Sequence, residues 1–170
     1  MACEHKIGDC VTYRHNGICR ITGTEKQNFA QMGSREYYKL TPVYDEKTVI
    51  FVPKDSEALV GEMRHILSRE EIDLIIGDSE SRDYEWIDDA KSRAVAFSEI
   101  ISGGDRGRIL WIIKELSLYK QRVEAEKKKL YASDAKLLSS AEKVITEEFS
   151  FVLGIKREEV LPYILNKLGK

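Results

Sequence analysis

No apolar stretch in this 170-residue sequence approaches the ~20 consecutive residues that a membrane-crossing helix needs. The opening MACEHKIGD has no apolar core of the signal-peptide kind. Cysteine is scarce, at three residues, and no two form a CxxC pair. That count argues against a disulfide framework and for free thiols in a reducing compartment, so the expected location is the cytoplasm. An excess of charge of either sign is missing as well, the formal net charge being −2. Residues 1–65 hold 9 of the 27 basic and 9 of the 29 acidic side chains, leaving 18 and 20 to the remainder. Tight DNA binding through phosphate neutralisation alone is therefore not expected.

Catalytic signatures are lacking too. The three histidines, His5, His15 and His65, are scattered, with no nucleophile motif beside them. No phosphate loop, no G-x-G-x-x-G and no H-E-x-x-H occurs. Cys3, His5, Cys10 and Cys19 match no common zinc spacing, so neither a metal nor a cofactor is expected. The paired acids Glu70-Glu71 and Asp88-Asp89 are adjacent on expected helices. Neighbours there diverge by ~100°, which prevents them from converging on one substrate. No enzymatic activity and no small-molecule substrate are expected.

What is present divides into two periods. Asp9–Arg14 alternates through Val11 and Tyr13, and Ile18–Thr22 follows a His15-Asn16-Gly17 turn suited to a hairpin. Tyr37–Leu40 and Thr48–Val52 are two further strand-like runs, separated by a turn at Asp45-Glu46 and closed by Pro53. Gln27–Ser34 has no periodicity and reads as a long hairpin loop. Four or five short strands suggest a small barrel-like sheet over residues 1–55.

After a linker or short helix at 56–67, the period becomes helical over 68–170. Ser68 and Glu71 form a capping box, and Gly77-Asp78-Ser79 ends the helix that it opens. Ile87, Ala90, Ala94, Phe97 and Ile101 make the stripe of a second helix, stopped by Gly103-Gly104. Asp105 caps a third, Ser133 or Asp134 starts a fourth, and a short fifth follows Gly154. The fold class is thus α+β, a small β-barrel module followed by an all-α domain.

The run KIGDCVTYRHNGICRI resembles the opening of the CarD/CdnL/TRCF family, through Gly8, Asp9, Val11, Tyr13, His15 and Gly17. Glu36-Tyr37-Tyr38-Lys39-Leu40 is similar to the family's E-Y-x-x-L strand, and Thr48–Pro53 to its closing strand ending in V-P. Val60-Gly61 with Met63 and Arg64 is similar to its V-G-x-R segment. In the helical half, Glu85-Trp86, the Ser-Gly-Gly-Asp break and Leu137–Glu142 continue the likeness. The resemblance implies a bacterial transcription regulator whose Tudor-like (SH3-like) N-terminal module docks on the RNA polymerase β subunit by strand addition. By position, Gln27, Phe29, Phe51 and Pro53 would face the polymerase.

It further implies that the helical domain contacts promoter DNA at the upstream edge of the melted bubble, weakly and only with polymerase present. There a Trp wedges into the minor groove and so modulates open-complex stability. Trp86 matches that Trp, with Lys91 and Arg93 as the nearby cations. Trp111 sits in a more apolar helix and reads as packing. Two departures stand out. Gln27 and Phe51 occupy positions where the family often has Arg, and Asp88-Asp89 follows the Trp where Arg is common. The acidic pair motivates an alternative, an adaptor that docks on polymerase without touching DNA. A second basic stretch, Arg106 and Arg108 through Lys120, Arg122 and Lys127-Lys128-Lys129, reads first as solvated helix surface.

Overall fold

The structure, a computed structural model, describes residues 4–31, 33–81 and 83–170. The chain divides into two units, Met1–Ile66 and Leu67–Lys170. The fold is α+β: an antiparallel sheet first, then helices.

The first unit holds β1 (Cys10–Tyr13), β2 (Ile18–Phe29), β3 (Gly33–Pro42), β4 (Ile50–Pro53), a short helix α1 (Glu57–Gly61) and β5 (Met63–His65). Its five strands lie in the order β4-β3-β2-β1-β5, all pairs antiparallel. The alternation seen in the sequence has its cause here. Val11, Tyr13, Cys19, Ile21, Leu40, Val52 and Met63 point to one face and form the core. The β1–β2 turn takes positive φ at Arg14 (49°) and Gly17 (67°), not at Asn16 and Gly17 as the dipeptide suggests. Arg14–Asn16 makes a single 3₁₀ turn there, and Tyr13 N donates to Gly17 O (3.0 Å).

The structure differs from the sequence expectation at two places in this unit. The supposed loop over Gln27–Ser34 is mostly sheet: Lys26 pairs with Glu36, Gln27 with Arg35 and Phe29 with Gly33. Polar residues occupy both faces of that hairpin, so no hydrophobic period marks it. Segment 56–67, expected as linker or short helix, supplies α1 and also β5, which extends the sheet beside β1 and brings Met63 into the core.

The second unit holds α2 (Arg69–Asp78), α3 (Ala90–Gly103), α4 (Arg106–Ala125), α5 (Ala132–Leu153) and α6 (Arg157–Lys167). No helix among the described residues is long and apolar enough to cross a membrane. Ser68 caps α2 through the complete capping box with Glu71, and Asp105 caps α4 at Arg108 N (3.1 Å). Gly104, at φ 73°, ends α3 in the left-handed conformation that glycine adopts without strain. Helix α3 starts three residues later than the stripe implies, because Asp89 accepts from Ser92 N (2.8 Å) as its N-cap. Ile87 and Trp86 therefore lie in the loop that precedes the helix. Helix α5 starts at Ala132, and Asp134, a candidate first residue, is fully buried inside its first turn. Phe97, Ile109, Ile112, Leu116, Ala141, Ile145 and Phe149 are the centre of this unit's core.

Candidate docking face and nucleic-acid interface

In the first unit, the cross-strand register decides which side chains share a face. Glu25 opposes Tyr37, which opposes Pro53; Gln27 opposes Arg35; Lys39 opposes Phe51. Their alternates, Tyr38, Leu40, Ile50 and Val52, belong to the core, so the former set lies on the opposite side of the sheet. Phe51 is 38% exposed and meets the edge of the Tyr37 ring at 6.3 Å, with Tyr37 buried beneath it. Gln27 is half-buried and its amide reaches Glu25 Oε1 at 3.5 Å. Arg35 pairs with Asp55 (3.1 Å), putting one cation and one anion at the margin of the patch.

Strand β4 is an edge of the sheet. Lys54 N donates to Glu36 O (2.9 Å). Antiparallel ladders alternate, so Val52 and Ile50 bond inward to β3 while Phe51 directs its N–H and C=O outward. Pro53 falls on the same outward phase, where its missing N–H costs no ladder bond.

In the second unit, Trp86 is half-buried at the end of a ladder of rings. Tyr119 lies 5.3 Å from it and Phe97 6.0 Å; Phe97 meets Trp111 at 5.7 Å, and Trp111 meets Tyr84 at 5.4 Å. Each contact is edge-on or tilted, the geometry favoured by the ring quadrupole. Arg122 stands over Tyr119 (5.9 Å) and Arg108 over Tyr84 (5.1 Å), both exposed. Beneath Trp86 sits Arg93, 1% exposed. Its Nε and Nη2 donate to Asp134 Oδ1 (2.9 Å) and Oδ2 (2.5 Å). Its Nη1 donates to the carbonyls of Ile87 (2.7 Å) and Asp88 (3.0 Å). Removing either partner would leave a buried charge uncompensated, at a cost of about 3–5 kcal/mol.

A comparison with known families decides the first unit. Residues 5–67 match the family model described as the CarD-like/TRCF RID domain. The first unit is thus similar to the RNA polymerase-interacting domains of the CarD/TRCF kind. No curated protein matches the chain. The RID match ends one residue beyond Ile66, the last residue of the sheet unit. A RID domain is a protein-interaction module and not a catalytic one. Among the described residues no three of His, Cys, Asp and Glu gather as a metal site. Cys3 lies outside those residues.

The strand register brings Gln27, Phe51 and Pro53 onto one non-core face. The backbone of Phe29 is in β2, and its side chain lies outside what is described. Tyr37, which backs Phe51, was not singled out from the sequence; its odd-numbered phase with Lys39 in β3 was the available signal. Lys91 is exposed in the first turn of α3. Arg93 is a correction: expected on the DNA side, it is internal, with four donor contacts inside the protein. Tyr119, Arg108 and Arg122 are the residues that sequence reasoning left outside the site. Along α4 they are 11 and 3 residues apart, which keeps them on one side of that helix but makes neighbours only of Tyr119 and Arg122. Arg106 of the same basic stretch is engaged with Glu148 (2.8 Å), and Lys128 with Glu126 (2.7 Å).

Proposed function

We propose that this chain docks on the β subunit of bacterial RNA polymerase through its RID domain and retunes the stability of the open promoter complex. The observation that carries the reading is the RID match on a unit whose edge strand β4 is open beside exposed Phe51. Strand addition takes affinity from main-chain hydrogen bonds and specificity from the side chains of one face. It needs no excess charge, in keeping with a unit carrying equal numbers of acids and bases. The Phe51–Tyr37 pair offers an apolar anchor where related modules often rely on Arg.

Trp86 is the residue proposed to meet DNA at the upstream edge of the bubble. A half-exposed indole on a packed ring ladder is a stiff apolar plane, suited to props between partly unstacked bases. Lys91, Arg108 and Arg122 supply cations for the neighbouring phosphates. With Arg93 internal and Asp88 and Asp89 close by, DNA affinity is weak without the polymerase. A wedge that binds the melted state better than the closed one shifts their populations by that difference. The adaptor reading, docking without DNA contact, is favoured by the same acidic pair.

Full-length protein, Phe51→Asp and Trp86→Ala separate these readings in a binding assay on the isolated β-subunit lobe and a fluorescence assay of promoter opening. Phe51→Asp is expected to weaken lobe binding ~30-fold, the loss typical of an interface anchor. Trp86→Ala is expected to bind the lobe normally and to lose its effect on opening. Normal opening with Trp86→Ala would leave the adaptor; no lobe binding by the unaltered protein would end the polymerase reading.

A further inference from the structure

Arg93 does more than balance a charge. Its guanidinium carbon lies 4.6 Å from the Trp86 ring centre and 5.3 Å from that of Tyr119. The same group holds both carbonyls that follow Trp86 in the chain, those of Ile87 and Asp88. Asp134 fixes the other side of the fork bidentately, from a first-turn position of α5 where the helix dipole favours an anion. One rigid, planar group thus ties the loop at its backbone, supports the indole by stacking, and is itself pinned to a second helix. Lysine has neither the plane nor the number of directed donors for this.

We infer that Arg93, pinned by Asp134, is a positioning residue for the Trp86 indole. It sets the angle at which the ring leaves the helical unit, and it takes no phosphate itself. The functional meaning rests on Trp86 facing DNA; the positioning does not.

The test uses the full chain labelled with 5-fluorotryptophan, with the Trp86 fluorine resonance assigned by Trp86→Phe. Asp134→Asn and Arg93→Lys are compared with Glu148→Gln, which breaks the other buried bidentate pair of this unit, Arg106 with Glu148 (2.9 and 2.8 Å). Well below melting, Asp134→Asn and Arg93→Lys are expected to shift and broaden the Trp86 resonance while Glu148→Gln leaves it in place. Arg93→Lys keeps a cation for Asp134, so it remains informative if Asp134→Asn does not fold. Promoter opening should fall with both Trp86-side variants toward the Trp86→Ala level, at unchanged binding to the β-subunit lobe. A Trp86 resonance unmoved by Arg93→Lys, or moved as far by Glu148→Gln, would overturn the positioning role. A moved resonance with opening unaffected even by Trp86→Ala would uphold positioning and remove the DNA reading.

Discussion

Side chain by side chain, environment outweighs residue type. Cys10 and Cys19 oppose Arg20 and Val11 on neighbouring strands, and the one-residue offset sends their thiols to opposite faces of the sheet. Cys19 is fully buried, and burial pushes its thiol up to about 11, with a smaller push from Cys10. The thiolate is the nucleophile, and near pH 8 only about one Cys19 in a thousand would carry it. Alkylation followed by peptide mass spectrometry should label half-buried Cys10 first and Cys19 only as the sheet opens; equal native rates would show a core that breathes. Arg93 teaches the converse lesson. It lies three residues after Ala90 and four before Phe97, on the inward stripe, and Asp134 lies four before Leu138 on the stripe of another helix. Opposite charges on two inward stripes announce a buried pair, and that signal was present in the sequence but overridden by likeness to DNA-contacting cations.

Helix ends and strand registers are the next scale. Helix α6 is held to α2 by Asp73, which accepts from Tyr163 Oη (2.6 Å) and Lys167 Nζ (2.9 Å). The Tyr163 hydrogen bond first, then that of Lys167, keeps the Asp73 carboxyl below its usual range. A depressed folded-state value means the contribution is complete above the ordinary Asp value, near ~3.9, and disappears as pH falls through the lower one. Urea unfolding of Asp73→Asn should therefore be weaker than that of the unaltered chain at pH 7 and converge with it in strong acid. An Asp73→Asn deficit that did not shrink on acidification would assign the loss to packing. The caps of α2 and α4 were legible because Ser68-x-x-Glu71 and Asp105 act within one turn. The distal β2–β3 hairpin was not, since its order comes from cross-strand pairing and polar side chains on both faces. The late start of α3 escaped for a similar reason: Ile87 continues the helical spacing, yet Asp89 caps behind it.

Taken whole, the chain carries two cores with no residue in common. Among the described residues, the larger one is built from residues from Leu67 onward. Residues 67–170 alone are expected to melt cooperatively with full helical circular dichroism. A non-cooperative melt would mean that the sheet unit is needed for folding. In the full chain, Ile21→Ala should destabilise the sheet unit by about 2–5 kcal/mol, the usual cost of emptying a core position. The overall α+β division was legible because the period of the sequence changes at the same place as the core. The placement of Tyr119 against Trp86, with Arg122 over Tyr119 and Arg108 over Tyr84, was not, since it depends on how α4 packs against the preceding loop.

The open margin of β4 also bears on solubility. A long, flat, unguarded strand invites a second copy of itself, and sheets grow from such margins into aggregates. Here the accessible run is four residues, and Pro53 has no N–H to offer any strand that approaches. Two copies meeting margin to margin would exchange too few bonds to stay together unaided. Under the proposed docking, lasting attachment would fall to a partner that also fits Phe51, and the brevity of the strand works against growth of a sheet from this margin.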